Sequence, residues 1–150
     1  MTKKILCLIT TLILSAALLA SCSSASYKDG TYRAEYDSFD DHGWKDYVEL
    51  TVQNGSITSV DFDSVNEDGA KKSEDESYRE SMEPVSGTYP AKFFPELEDA
   101  LVEQQDIEKV DAVAGATNSS DSFKDLVKRL LKKNAAKGNT ETLVVERAAS

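Results

Sequence analysis

One histidine, two cysteines and one tryptophan are spread over 150 residues. With His42 alone, neither a histidine-rich metal site nor more than one Ser–His pairing is available. Cys7 and Cys22 cannot supply the framework of a disulfide-stapled domain or a zinc cluster. Gly-rich nucleotide fingerprints are missing, and no internal repeat is visible. Cations are also scarce: 17 Lys and Arg against 27 Asp and Glu leave a net charge of −10. So acidic a surface repels polyanions, which argues against nucleic acid or an anionic lipid surface as a direct partner. The segment Ser64 to Asp75 brushes against the calcium-loop spacing, yet it has Ser at the first position and Asp in place of Glu at the last. It reads as a solvated acidic loop, and no metal is expected.

The one long apolar run, Ile5 to Ala20, follows Lys3 and Lys4. It is too short and too weakly flanked for a bilayer span of about 20 residues and reads as an export signal. It closes on Leu19-Ala20-Ser21-Cys22, which resembles the lipobox of bacterial lipoproteins. That likeness implies a signal peptide over residues 1–21, a diacylglyceryl group on Cys22, and a lipid-anchored place on a cell membrane outside the cytoplasm. The alternative is an ordinary secretory signal that leaves Cys22 as a free thiol. Loss of Lys3 and Lys4 takes the charge to −12 and leaves 129 residues, enough for one domain with a modest core. Residues 22–30 form a lipidated tether, 31–138 the domain and 139–150 a tail.

Within the domain, Thr31 to Tyr36 and Tyr47 to Gln53 have the alternation of strands, separated by an acidic loop from Asp37 to Asp46. Asn54-Gly55 is a strong hairpin signal. Pairing Val52 with Ile57 puts Val60 and Phe62 on the wrong parity, so a bulge is expected near Thr58 or Ser59. Ser73 and Glu76 match a capping box, with a short helix carrying Tyr78 and Met82 that Pro84 and Gly87 end. A second helix runs from about Pro90 to Gln105 with Phe93, Phe94, Leu97, Ala100 and Leu101 inward. Thr140 to Ser150 either adds a strand through Leu143 and Val145 or stays loose, and partial disorder is the expectation. The order of elements gives an α+β class, a small antiparallel sheet backed by helices in a single domain.

The stretch Asp111 to Phe123, DAVAGATNSSDSF, holds the chemistry. Val110, Ala112 and Ala114 alternate like a strand, and Gly115 and Ala116 supply a turn. Asn118, Ser119 and Ser120 are good cap residues for a helix whose apolar face is Phe123, Leu126, Val127, Leu130 and Leu131, closing near Gly138. A strand, a small turn and a helix start together make an anion cradle, because the first N–H groups of a helix are unpaired and sit at the positive end of its dipole. The bland alternative is a capped junction that binds nothing.

Asp111-Ala112-Val113-Ala114-Gly115-Ala116-Thr117 resembles the D-x-x-[S/T/A]-G-A-T acceptor sequence of the FMN-binding domain family. Ala114 stands where Ser or Thr is more usual, which leaves the acceptor intact and removes one possible hydroxyl contact. The likeness extends from Asp29-Gly30-Thr31-Tyr32 through the hairpin to the helix after Thr117. It implies FMN joined through its phosphate to the Thr117 hydroxyl by an FAD-dependent FMN transferase that recognises Asp111. Gly115, Ala116, Asn118 and Ser119 then surround the phosphate, and the chain relays electrons to redox partners without being an enzyme. Trp44 is a candidate to rest against the flavin ring, or else it covers the edge of the core; Tyr36, Tyr47 and Tyr89 are weaker candidates. Two other functions fit the same residues: a surface lipoprotein serving as a binding or structural module, and a protein that holds FMN without a covalent bond.

Overall fold

The computed structural model describes residues 27–148, so Cys22 and the export signal lie outside the described residues. Three strands form a meander: β1 (Gly30–Tyr36), β2 (Lys45–Gln53) and β3 (Ser56–Val65). The turn at Asn54-Gly55 has positive φ at both residues, 53° and 76°, as a tight hairpin between right-twisted strands requires. Thr51 pairs with Ser59 and Val52 with Ile57, leaving Thr58 as the extra residue of the expected bulge. The bulge restores parity, so Ile57, Val60 and Phe62 share one face with Val48, Leu50 and Val52.

A fourth strand, β4 (Leu143–Val145), pairs parallel to β1 and gives the order β3-β2-β1-β4. The sheet is therefore mixed where an antiparallel one was expected, and Leu143–Val145 of the expected loose tail are ordered into it. Long-range pairing decides this: Val145 is buried against the core, and the Val145 carbonyl accepts from the Asp37 N–H at 2.9 Å.

Helices α1 (Glu76–Ser86), α2 (Pro90–Gln104) and α3 (Thr117–Leu130) follow, and a π-turn over Leu131–Ala135 extends the last. Phe93, Phe94, Leu97 and Leu101 of α2 join Phe123, Leu126, Val127 and Leu130 of α3 over the sheet's apolar face. Phe62 lies at the centre, with ring centroids 4.9 Å from both Phe94 and Phe123. α2 also runs beside the edge strand β3 and satisfies its outward groups: the Phe62 N–H donates to Glu98 Oε1, and the Gln105 amide bonds both N–H and C=O of Ile57. An open strand edge is thereby closed to pairing.

Local expectations fail at four places. Asp75, not Ser73, caps α1 by accepting from the Tyr78 N–H, because the Ser73 hydroxyl is taken by Asp63. Pro84 sits inside α1 instead of ending it; the helix is exposed there, so water can serve the carbonyl that the proline leaves unpaired, and Gly87 at φ 72° makes the stop. Val110 to Ala114 is not a strand but an irregular run after a 3-10 turn at Ile107–Lys109. Helix α3 starts at Thr117, ahead of Asn118, Ser119 and Ser120, since the Ser120 hydroxyl turns back to the Ala116 carbonyl and accepts from the Val113 N–H.

Candidate functional site

The apolar row of the sheet turns polar at one end. Ala34, Val48 and Phe62 lie side by side in it, and two residues along each strand stand Tyr36, Asp46 and Ser64. Over that end opens a cavity of about 700 Å³, within the range of small-ligand and cofactor sites. Its walls come from the start of α3 (Thr117, Asn118, Ser119, Ser122), from α1 (Tyr78, Met82), from the loop Asp40–His42, and from Lys72 and Arg147. A shallower groove of about 500 Å³ adjoins it, shares His42, Tyr78 and Met82, and adds Trp44 and Val85.

Gly115 makes the junction between helices possible. Its φ is 82°, and a Cβ there would collide with the Ser86 carbonyl oxygen at the end of α1. Only glycine allows both the left-handed turn and this approach. The chain then enters α3 through Ala116, which offers no side-chain cap. The N–H groups of Thr117, Asn118 and Ser119 accordingly have no acceptor among the described residues, the state in which a helix start binds an anion. Thr117 and Asn118 are exposed, Ser119 is half-buried, and all three line the cavity with Gly115 and Ala116.

The charged walls are organised. Arg147, just beyond β4, lies 4.0 Å from the centre of the Tyr36 ring, and its guanidinium reaches Asp46 Oδ2 at 3.5 Å and the Ser38 carbonyl at 3.3 Å. Asp46 is completed by the Ser64 hydroxyl. Burial, with the Asp125 carboxylate adding to it, pushes the Tyr36 phenol up to about 12, so it remains a donor to Asp125 Oδ2 at neutral pH. Asp40 spends Oδ1 on the N–H groups of His42 and Trp44, which shapes the loop. Lys72 is 7% exposed and presses its ammonium against two rings, 4.5 Å from Tyr78 and 5.4 Å from Trp44.

Five of the residues singled out in the sequence, Gly115, Ala116, Thr117, Asn118 and Ser119, therefore meet on one wall. Asp111 is exposed and lies outside the cavity lining. Trp44 is buried beside Tyr78, edge to face at 5.9 Å, and lines the adjoining groove instead of joining the main core. Tyr47 and Tyr89 face other surroundings, under Arg33 and Arg79 respectively. Sequence reasoning missed Lys72, Tyr78 and Met82 as wall residues, and Arg147 altogether. Only Ser122 left a signal, standing one helical turn after Asn118.

A concave site at the end of a sheet, with an open helix start, a hydroxyl on its rim and aromatic walls, defines a domain for a small anionic ligand with a flat ring. The sequence model of the FMN-binding domain matches residues 43–132, and the chain belongs to that family. It is 44% identical over 129 residues to the 15 kDa lipoprotein of Treponema pallidum, covering 86% of this chain and 91% of that protein. The crystal structure of the CPE2226 protein from Clostridium perfringens superposes with a TM-score of 0.78 at 42% identity, over 81% of this chain and 99% of that one. The residues present fit FMN: the N–H groups of Thr117, Asn118 and Ser119, without acceptors among the described residues, suit a phosphate, and Tyr78, Met82 and Trp44 offer apolar surface to a ring.

Proposed function

We propose that the chain carries FMN through a phosphoester on Thr117 and serves as a lipid-tethered electron relay outside the cytoplasm. The observation that carries this reading is the place of Thr117, an exposed hydroxyl at the first residue of a 14-residue helix, on the cavity wall and beside N–H groups that have no acceptor among the described residues. In the attachment step its oxygen bonds to the flavin-side phosphorus of FAD. The bond from that phosphorus to the bridging oxygen breaks, AMP leaves with the bridging oxygen, and the hydroxyl proton passes to the transferase or to solvent. The diester keeps one negative charge, which the start of α3 offsets. Asp111, exposed ahead of the turn, is the recognition residue for the transferase. When bound, flavin supplies one- and two-electron redox chemistry, while the protein supplies position and charge.

Covalent attachment suits an exported protein, because a flavin that dissociated there could not be replaced from the cytosolic pool. The chain is then a substrate of the transferase more than an enzyme itself. Among the described residues no helix is long and apolar enough to cross a membrane. Attachment falls to a lipid on Cys22, a reading supported by the lipoprotein name of the Treponema relative.

Co-expression of the full chain with a flavin transferase tests the proposal. The expected product is yellow after denaturation, with the flavin mass on the peptide holding Thr117, and Thr117→Val loses it. A colourless wild type, or colour that survives in the valine variant, overturns covalent attachment at this residue; colour that dialyses away under denaturing conditions means FMN is held without the bond.

A further inference from the structure

Lys72 is more than nine-tenths buried, yet no carboxylate lies within ion-pair distance of it among the described residues. Buried charges are ordinarily paired, because an unpaired one forfeits its hydration. The Trp44 and Tyr78 rings offset part of that loss. The ammonium also lines the cavity.

Its backbone is held on both sides. Lys71 forms a bridge with Val65, and the Ser73 N–H and hydroxyl both donate to Asp63. The fold thus fixes a cation that lacks an anion and aims it into the site. The other cavity cation, Arg147, is already committed to Asp46, and the Asp40 and Asp41 carboxylates that also line the cavity form no ion pair with Lys72, Asp40 Oδ1 being taken by loop N–H groups.

Resting on FMN attachment at Thr117, we infer that Lys72 is the positioning residue for the pyrimidine end of the flavin ring. Gly115, two residues from the phosphate-bearing Thr117, abuts Ser86 at one end of α1. Tyr78, which holds Lys72, lies eight residues earlier on that helix, about 12 Å away at 1.5 Å per residue. Along α1 the turn that leads to Thr117 and the ring that holds Lys72 are thus about two helical turns apart, a separation that the two ends of FMN would bridge. Adding two electrons and one proton to the neutral oxidised ring leaves one negative charge, concentrated at the pyrimidine end. A fixed ammonium there favours the reduced form.

The test compares the flavin-loaded full chain with its Lys72→Met and Lys72→Arg variants by reductive titration with dithionite, with circular dichroism as the folding control and Lys72→Gln as the substitute if Met disturbs the fold. Lys72→Met is expected to lose about tenfold in preference for the reduced ring, which for a two-electron couple is about 30 mV lower in midpoint potential. Lys72→Arg restores most of it, as a purely structural role would not. Equal potentials in wild type and Lys72→Met overturn the role of Lys72 and leave attachment at Thr117 standing. If no protein retains flavin after denaturation, attachment has failed on its own, and Lys72 is judged by titrating the unmodified chain with FMN. There, fivefold or greater weakening in Lys72→Met supports the assignment, and equal affinity overturns it.

Discussion

Helices α1 and α2, of 11 and 15 residues, stand next to each other in sequence and are used in opposite ways. α2 buries Phe93, Phe94, Leu97 and Leu101 in the core, whereas α1 has no buried residue at all. The apolar residues of α1 are not missing; Tyr78, Met82 and Val85 line the cavity and its groove, only Met82 of the three also packs against the core, and Val85 is 89% exposed. A helix whose apolar side looks into a cavity gains little from its own protein, since helical stability comes mainly from packing that side. The contrast separates a part of the fold that holds the chain together from a part that is completed by what it binds.

The hardest test of that separation is a pair of truncations. Phe94→Ala in α2 removes a ring that touches Phe62 and Phe93, and is expected to cost about 3–5 kcal/mol in urea unfolding. Met82→Ala in α1 is expected to cost no more than about 1 kcal/mol. If the two cost the same, α1 belongs to the core and the comparison collapses.

A smaller effect is expected at the contact that ties α1 to the site. Gly115→Ala forces a Cβ toward the Ser86 carbonyl at a left-handed φ, for about 1–3 kcal/mol. The loss should be local. Hydrogen exchange is expected to quicken in the last turn of α1 and at Ser120, the first hydrogen-bonded amide of α3, with the α2 amides protected as before except through the lowered global stability. Uniform acceleration across both helices would mean that Gly115 supports the whole fold rather than the cavity wall.

The same contrast explains what could be read from the sequence. The clean alternation of β2, the Asn54-Gly55 turn with its extra residue at Thr58, and the inward faces of α2 and α3 were legible because each follows from a local pattern that the core then rewards. The Thr117 wall was legible because its residues are contiguous. Lys72 and Arg147 were not, since they reach the cavity from residues far from Thr117 in the chain, and an isolated Lys or Arg has no pattern. Ser73 misled because its hydroxyl looks like a cap until Asp63 is brought beside it. β4 misled because three residues carry too little propensity to announce a strand; only the open edge of β1 makes them one. Cavity walls are assembled by tertiary structure, and sequence signals fade there first.

The smallest expected effect concerns the one acid that α2 turns toward the sheet. Glu98 is half-buried and accepts from the Phe62 N–H at 2.7 Å; burial, with Asp61, Asp99 and Asp63 adding to it, raises its pKa above the ordinary carboxylate value. A carboxyl whose folded pKa is raised contributes stability below its unfolded pKa and loses that contribution as pH rises through the folded pKa. Between mildly acidic and neutral pH, Glu98 should thus make α2 hold the edge of β3 less firmly. Glu98→Gln keeps an acceptor for Phe62 and removes the charge, so its stability relative to wild type should rise across that window in urea titrations at a series of pH values. Helix α1 buries no acid at all, so it offers no counterpart to this contact. A difference between Glu98→Gln and wild type that stays constant across the window would show that the burial of this carboxyl on α2 does not set the response.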